Sequence, residues 1–178
     1  MNELRQDAGL EYPFAVVPTN TGFSANSLQF PSLATADSRS ELLERLREQV
    51  ALYLLDCRAI GVAPTAPLAR ADLDLEDYTA EATVPEIVYV EPAPVNQVSL
   101  AIQRAIQEEG VSQTDLARRL SSPRSVVCRL TNPFYFGHSS RTLRAVADAL
   151  GRELQIELVK PVTRAQARMA KPQLTPRR

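Results

Sequence analysis

The apolar positions of this chain change period along its length, and each change marks an element. Leu10 to Pro18 (LEYPFAVVP) concentrates aromatic and β-branched residues, which predicts a strand, and Thr19-Asn20-Thr21-Gly22 supplies turn chemistry. Phe23 to Phe30 (FSANSLQF) returns as the second strand of a hairpin. Pro31-Ser32-Leu33 breaks it, and a short third strand fits Leu33 to Ala36. Leu42, Leu46, Val50, Tyr53 and Cys57, widened by Leu43, Leu54 and Leu55, then recur at helical spacing and predict a long helix lying on one face of the sheet. Asp37 or Ser38 caps this helix, Ser38-x-x-Glu41 has the form of a capping box, and Gly61 ends it. Residues 62–85 sustain neither period, so they predict a loop with at most one helical turn. Ile87-Val88-Tyr89-Val90 is a further strand. Glu91-Pro92-Ala93-Pro94 follows as a hinge, because its prolines continue neither strand nor helix.

Beyond residue 92 the pattern is helical. Val98, Ile102, Ala105 and Ile106 form one apolar stripe, with Gln103 and Arg104 outside it. Gly110 ends that helix in a left-handed conformation and Ser112 caps the next, which makes a tight corner between two helices. The second helix turns Leu116, Ala117 and Leu120 inward and breaks at Ser121-Ser122, where Ser122 caps a third helix with Pro123 in its first turn. Val127 and Leu130 supply the inner face of that third helix; Arg124, Ser125, Cys128 and Arg129 supply the outer one. Thr131 to His138 is a loop with three consecutive aromatics, placed either against DNA or in the side of the bundle. Ser139 or Ser140 caps a last helix with Leu143, Val146, Ala147 and Leu150 on one face and Arg141 and Arg144 near its start; Gly151 ends it. Glu153 to Val159 (ELQIELV) alternates strictly, with Leu154, Ile156 and Leu158 on one side. A lone strand lacks hydrogen-bond partners, so it pairs with its copy in a second subunit, giving a two-fold dimer, or packs on the N-terminal sheet.

The expected fold class is therefore α+β. A small β-β-β-α-β domain occupies residues 1–92, an all-α domain ending in a dimerisation strand occupies residues 93–160, and a basic tail, disordered by composition, occupies residues 161–178.

Composition divides the chain at the same point. The 178 residues carry a formal net charge of −1, an average that hides two opposed halves. Residues 1–92 hold six Lys and Arg against fifteen Asp and Glu, whereas residues 93–178 hold fourteen against six. A basic half suits a polyanion such as double-stranded DNA; an acidic half is repelled by DNA and attracts a cationic protein, or merely keeps the surface soluble. The tail from Lys160 onward carries six basic residues and no acidic one, so it adds nonspecific phosphate contacts or stays solvated without a task. No apolar run reaches membrane-spanning length, and the N-terminus lacks the basic start and apolar stretch of a signal peptide, so the expected location is the cytoplasm. Cys57 and Cys128 are too few and too isolated for a disulfide framework or a zinc site; Cys57 reads as a small buried hydrophobe and Cys128 as a partly exposed thiol.

The segment Leu116 to Leu130, LARRLSSPRSVVCRL, resembles the Cro/repressor (XRE) type of helix-turn-helix, and the continuation TLRAVADALGREL is similar to that family's closing helix. Ser121 stands where the family usually has Gly, which predicts some strain in the turn. The resemblance implies DNA binding. Arg124 and Ser125 would meet base edges, Gln113, Thr114 and Arg129 would mainly hold the backbone, and Ser122, Pro123 and Cys128 complete the surface. The first half resembles the HicB family of antitoxins through Tyr12-Pro13-Phe14 to Val17, Gly22-Phe23, Phe30-Pro31-Ser32-Leu33, Asp37-Ser38-x-x-Glu41-Leu42 and Ala63 to Pro67. Ser32 replaces that family's usual Asp, and its glycines around the third strand are missing. This second resemblance implies a partial RNase-H-like domain that neutralises a small basic HicA-like ribonuclease toxin, in a protein that also represses its own operon.

Catalysis is not expected. A metal-dependent nuclease needs carboxylates converging on magnesium, whereas Asp72, Asp74, Glu76 and Asp77 crowd one loop and Glu41, Glu44 and Glu48 read as a solvated helix face. His138 is the sole histidine, no phosphate-cradling glycine loop occurs, and no cofactor or metal is implied. A stand-alone repressor with a ligand- or partner-sensing first domain is the alternative function, and an orphan nuclease the third.

Overall fold

The computed structural model describes residues 10–75 and 84–157. It is a mixed α/β structure with a four-stranded antiparallel sheet and five α-helices among those residues. Strands β1 (Tyr12–Thr19), β2 (Gly22–Ser27) and β3 (Leu33–Ala36) precede helix α1 (Arg39–Ala59). A 3-10 turn (Arg70–Asp72) and strand β4 (Glu86–Val90) follow. Then come α2 (Gln97–Glu108), α3 (Gln113–Arg119), α4 (Arg124–Thr131) and α5 (Ser140–Ala149).

The sheet order is β3-β2-β1-β4. Pro13 is tolerated in the central strand because the β1–β2 pairing ends at Phe14 and Ser27, so its missing N–H falls where β2 has stopped. The second strand ends at Ser27, three residues short of the expected Phe30. Ser27 Oγ accepts the N–H groups of Gln29 and Phe30, turning the chain. Phe30 thereby folds back to stack on Tyr53, with ring centroids 4.3 Å apart, and meets Tyr12 and Phe14 edge-on. At the β3 edge, Arg45 and Gln49 of α1 donate to the carbonyls of Thr35 and Leu33, which blunts it against a further strand.

Helix α1 lays Leu42, Leu46, Val50 and Leu54 on Tyr12, Phe14, Val16, Ala25 and Val90 to make the first core. Ser38 is its cap and accepts from Glu41 N–H at 3.3 Å; the expected return bond of a capping box is replaced by a Glu41–Arg45 ion pair one turn on. The loop after α1 is pinned across the aromatic cluster. Tyr12 donates to Thr65 O at 2.9 Å, and both ends of the Gln29 amide bond the backbone of Ala66 and Leu68 at 2.8 Å.

The second core is separate and comprises Ile102, Ile106, Leu116, Ala117, Val127, Leu130, Val146 and Leu150. Val98, expected in the buried stripe of α2, is 36% exposed, and Ser99 is fully buried in its stead. The reason is polar. Ser99 Oγ faces the loop after α4, 3.4 Å from His138 Nε2, on the buried side of α2. Gln103, expected outside, bonds Thr131 O at 2.6 Å. The expected C-terminal strand is not formed among described residues 153–157, which join neither edge of the four-stranded sheet and so lack the ladder bonds that define a strand. Leu158, Glu76, Asp77 and the tail lie outside the described residues.

Candidate nucleic-acid interface

Helices α3 and α4 are joined by a four-residue turn, and one left-handed residue shapes the corner on each side of α3. Gly110 (φ 61°) lets the chain leave α2 for the Ser112 cap, whose side chain accepts from Asp115 N–H at 3.0 Å. Ser121 has φ 48° and is the one non-glycine described residue in the left-handed region, as its glycine-like position in the motif predicts. Leu116 and Ala117 of α3 are buried with Val127 and Leu130 of α4. That packing fixes which side of α4 faces solvent: Arg124, Ser125, Cys128 and Arg129 are all exposed.

Ser122 does not cap α4. Its hydroxyl donates to Leu120 O at 3.1 Å, Pro123 occupies the cap position, and no side chain accepts from the first turn. The other four α-helices each have a side-chain cap, from Ser38, Asn96, Ser112 and Ser139. The start of α4 therefore leaves backbone N–H groups and the positive end of its dipole to an external acceptor such as water or a phosphate.

Gln113 ties the two helices together. Its Nε2 donates to Thr131 Oγ1 at 3.3 Å and its Oε1 accepts from Cys128 Sγ at 3.4 Å, so half-buried Gln113 lies along α4 while Thr114 beside it stays exposed. Thr131, expected in a loop, is the last residue of α4; it is buried, and its hydroxyl returns to Val127 O at 3.0 Å.

The cations sort by partner. Arg118 pairs with Asp115, and Arg119 Nη1 donates to Ala149 O at 2.9 Å. Arg152 bonds Glu109 and Glu108, and these bonds raise its pKa above the ordinary arginine value. Arg104, Arg124, Arg129, Arg141 and Arg144 have no ion pair among the described residues, and all are exposed. Arg129 instead lies over the Tyr135 ring, 5.4 Å from its centroid.

The aromatic loop divides. Tyr135 packs on the second core, Phe134 is half-buried, and Phe136 stands 61% exposed. Asn96, which caps α2 through Oδ1, also holds this loop: its N–H donates to Pro133 O at 2.7 Å and its Nδ2 to Tyr135 O at 2.7 Å. Because the cap orients the Asn96 amide, Nδ2 faces His138 Nδ1 at 3.3 Å, which assigns the ring proton to Nε2, 2.9 Å from Leu130 O. The chain Ser99–His138–Asn96 thus has the order of a nucleophile–base–orienter set, but its serine is fully buried and its imidazole proton is engaged by a carbonyl; it serves as a structural lock.

Leu154 is half-buried and Ile156 is 65% exposed, so the alternating C-terminal segment presents apolar surface to solvent. Among the described residues no group of three or more His, Cys, Asp or Glu side chains is arranged to hold a metal ion, and no helix is long and apolar enough to cross a membrane. Asp72 lies in the 3-10 turn and Asp74 just beyond it, both exposed. Sequence reasoning missed the roles of Asn96, Gln103 and Thr131, of which only Asn96, a capping type just ahead of an apolar stripe, carried a local signal; Tyr135 takes the bundle-side place that was one of the two expected for the aromatic loop.

A scan against models of known protein families and a search among curated proteins both return no match.

Proposed function

We propose that this chain is an operator-binding repressor that also acts as the antitoxin of a type II toxin–antitoxin system. In this reading α3 and α4 form a helix-turn-helix whose α4 enters the major groove of double-stranded DNA. The observation that carries the reading is the exposed face of α4, where Arg124 and Ser125 flank a helix start with no side-chain cap and Arg124 has no acidic partner among the described residues. A guanidinium at that position has the donor geometry for guanine O6 and N7, and the Ser125 hydroxyl that for a neighbouring base edge. Gln113, Thr114 and Arg129 hold the phosphate backbone beside it, with Ser122, Pro123 and Cys128 completing the surface.

The antitoxin role rests on the HicB resemblance and on charge. Residues 1–92 carry a formal −9, suited to covering a small basic HicA-like ribonuclease, while the opposite sign follows residue 92. The protein acts in the cytoplasm as a homodimer, through Leu154, Ile156 and Leu158, so that two copies of α4 read a palindromic site.

Replacing Arg124 with Ala is expected to cost about 1–3 kcal/mol at the specific operator and to narrow the gap between operator and scrambled duplex. Unchanged discrimination in a binding titration would reject the base-reading assignment. Co-purification with the product of the adjacent gene tests the other half. A small basic partner that stays bound until high salt is the expected result; a chain that binds its promoter but retains no such partner is instead a stand-alone repressor.

A further inference from the structure

Arg129 leaves α4 toward solvent on a long, rotamer-rich side chain, yet it is not loose. Its guanidinium rests over the face of Tyr135, 5.4 Å from the ring centroid, and the ring and its backbone are both held in place. The Tyr135 hydroxyl donates to Gly137 O at 2.8 Å, its N–H to Asn132 O at 3.0 Å, and its carbonyl accepts from Asn96 Nδ2 at 2.7 Å. His138 packs against the same ring, with centroids 5.0 Å apart and planes tilted by 59°. Gly137 is part of the device. A Cβ there would stand 2.5 Å from Tyr135 Oη and 2.7 Å from Cζ, so only glycine lets the ring fold back across its own loop.

We propose that Tyr135 is the positioning residue for Arg129 in DNA binding: its ring holds the guanidinium where a phosphate meets it, without itself touching the duplex. This rests on the helix-turn-helix reading above. A cation over an aromatic face keeps its charge and its in-plane N–H donors, so the platform presents Arg129 to an anion instead of neutralising it as a carboxylate would. Arginine rotamer freedom that would be lost on binding is then already lost in the free protein.

The test uses the full chain and a duplex taken from immediately upstream of its own coding sequence, with affinity measured across a salt series. Arg129→Ala is expected to lower the log-log salt slope by about 0.9, the value for one phosphate contact on duplex DNA. Tyr135→Met keeps apolar bulk and changes no charge, yet is expected to lower the slope to nearly the same value; the double variant falls no further. Tyr135→Phe, which retains the ring, keeps the wild-type slope. Gly137→Ala, which displaces the ring while leaving Tyr135 in the sequence, behaves as Tyr135→Met and stands in for it if that variant does not fold. A purely structural role for Tyr135 would alter thermal stability without moving the slope. A wild-type slope in folded Tyr135→Met or Gly137→Ala protein, beside a lowered slope in Arg129→Ala, overturns the proposal and leaves the DNA-binding reading standing. Wild-type affinity and slope in both Arg124→Ala and Arg129→Ala overturn the two together.

Discussion

Ser121 carries the largest local conflict between residue type and backbone. At φ 48° its Cβ crowds the adjoining peptide, a cost of about 1–2 kcal/mol that glycine does not incur. Ser121→Gly is therefore expected to stabilise the protein by about 1 kcal/mol, since part of the relief is offset by the greater freedom of glycine in the unfolded chain. The check is the urea midpoint, which should rise; a β-branched residue at the same position should lower it. An unchanged midpoint with glycine would mean that the turn is not strained. Serine at this corner was legible as an anomaly in the sequence, because the motif around it demands a left-handed residue. The partners of Gln113 were not. Cys128 and Thr131 come within its reach only when α4 has packed on α3.

At the scale of elements, the strand–helix layer is closed by the loop after α1, and Tyr12 is the residue that joins them. Burial pushes its phenol from 10.0 up to about 12, and repulsion from Tyr53 and Cys57 adds to the shift. The unfolded chain releases this proton at about pH 10, whereas the folded protein keeps it to about 12. Tyr12 thus contributes stability that is whole below the unfolded value and is lost as the pH climbs through the folded one. Urea unfolding across that alkaline range should show stability falling, and Tyr12→Phe should remove this part of the dependence. The same variant loses the bond to Thr65 O, a net cost of about 0.5–1.5 kcal/mol near neutral pH. If Tyr12→Phe and the wild type fall in parallel with pH, the phenol is not the responsible group. The strands, the long helix and its serine cap were all legible in the chain, since each depends on residues a few positions apart. The early end of β2 was not: the apolar pattern runs on to Phe30, and only the stacking of that ring on Tyr53 explains why the chain turns at Ser27.

At the scale of the whole molecule, charge and assembly set the expectations. Two separate cores lie on either side of the proline-containing segment after β4, and that segment is tied to α1 where Ala93 N–H donates to Arg47 O at 2.8 Å. Among the described residues of the C-terminal segment, Leu154 and Ile156 join no sheet, and Ile156 is mostly exposed. Burying an isoleucine side chain fully contributes about 1.5–3 kcal/mol, and a two-fold interface would bury Ile156 from both subunits. If this segment forms the proposed interface, Ile156→Asp is expected to weaken dimerisation by about 2–4 kcal/mol on burial alone, seen in sedimentation as a shift toward monomer. Under the proposed function, operator binding should then lose its steep dependence on protein concentration. A variant that sediments as the wild type would remove this segment from the interface.

What the sequence determined by itself is what neighbours in the chain decide between them. The period of the apolar positions selects strand or helix, Ser38, Ser112 and Ser139 accept from N–H groups three residues ahead, and Gly110 and Ser121 turn corners that the flanking helices require. Tertiary structure decided which polar side chains meet. Asn96 reaches Tyr135 and His138 across about forty residues, Gln29 pins Ala66 and Leu68, and Arg129 settles on Tyr135. Those partners are named by no period and no cap, because a hydrogen bond or a cation on a ring depends on ångström-scale placement that exists only after the cores have packed. The alternating stretch from Glu153 shows the limit most plainly: its pattern is that of a strand, and a strand forms only where another backbone supplies the missing bonds.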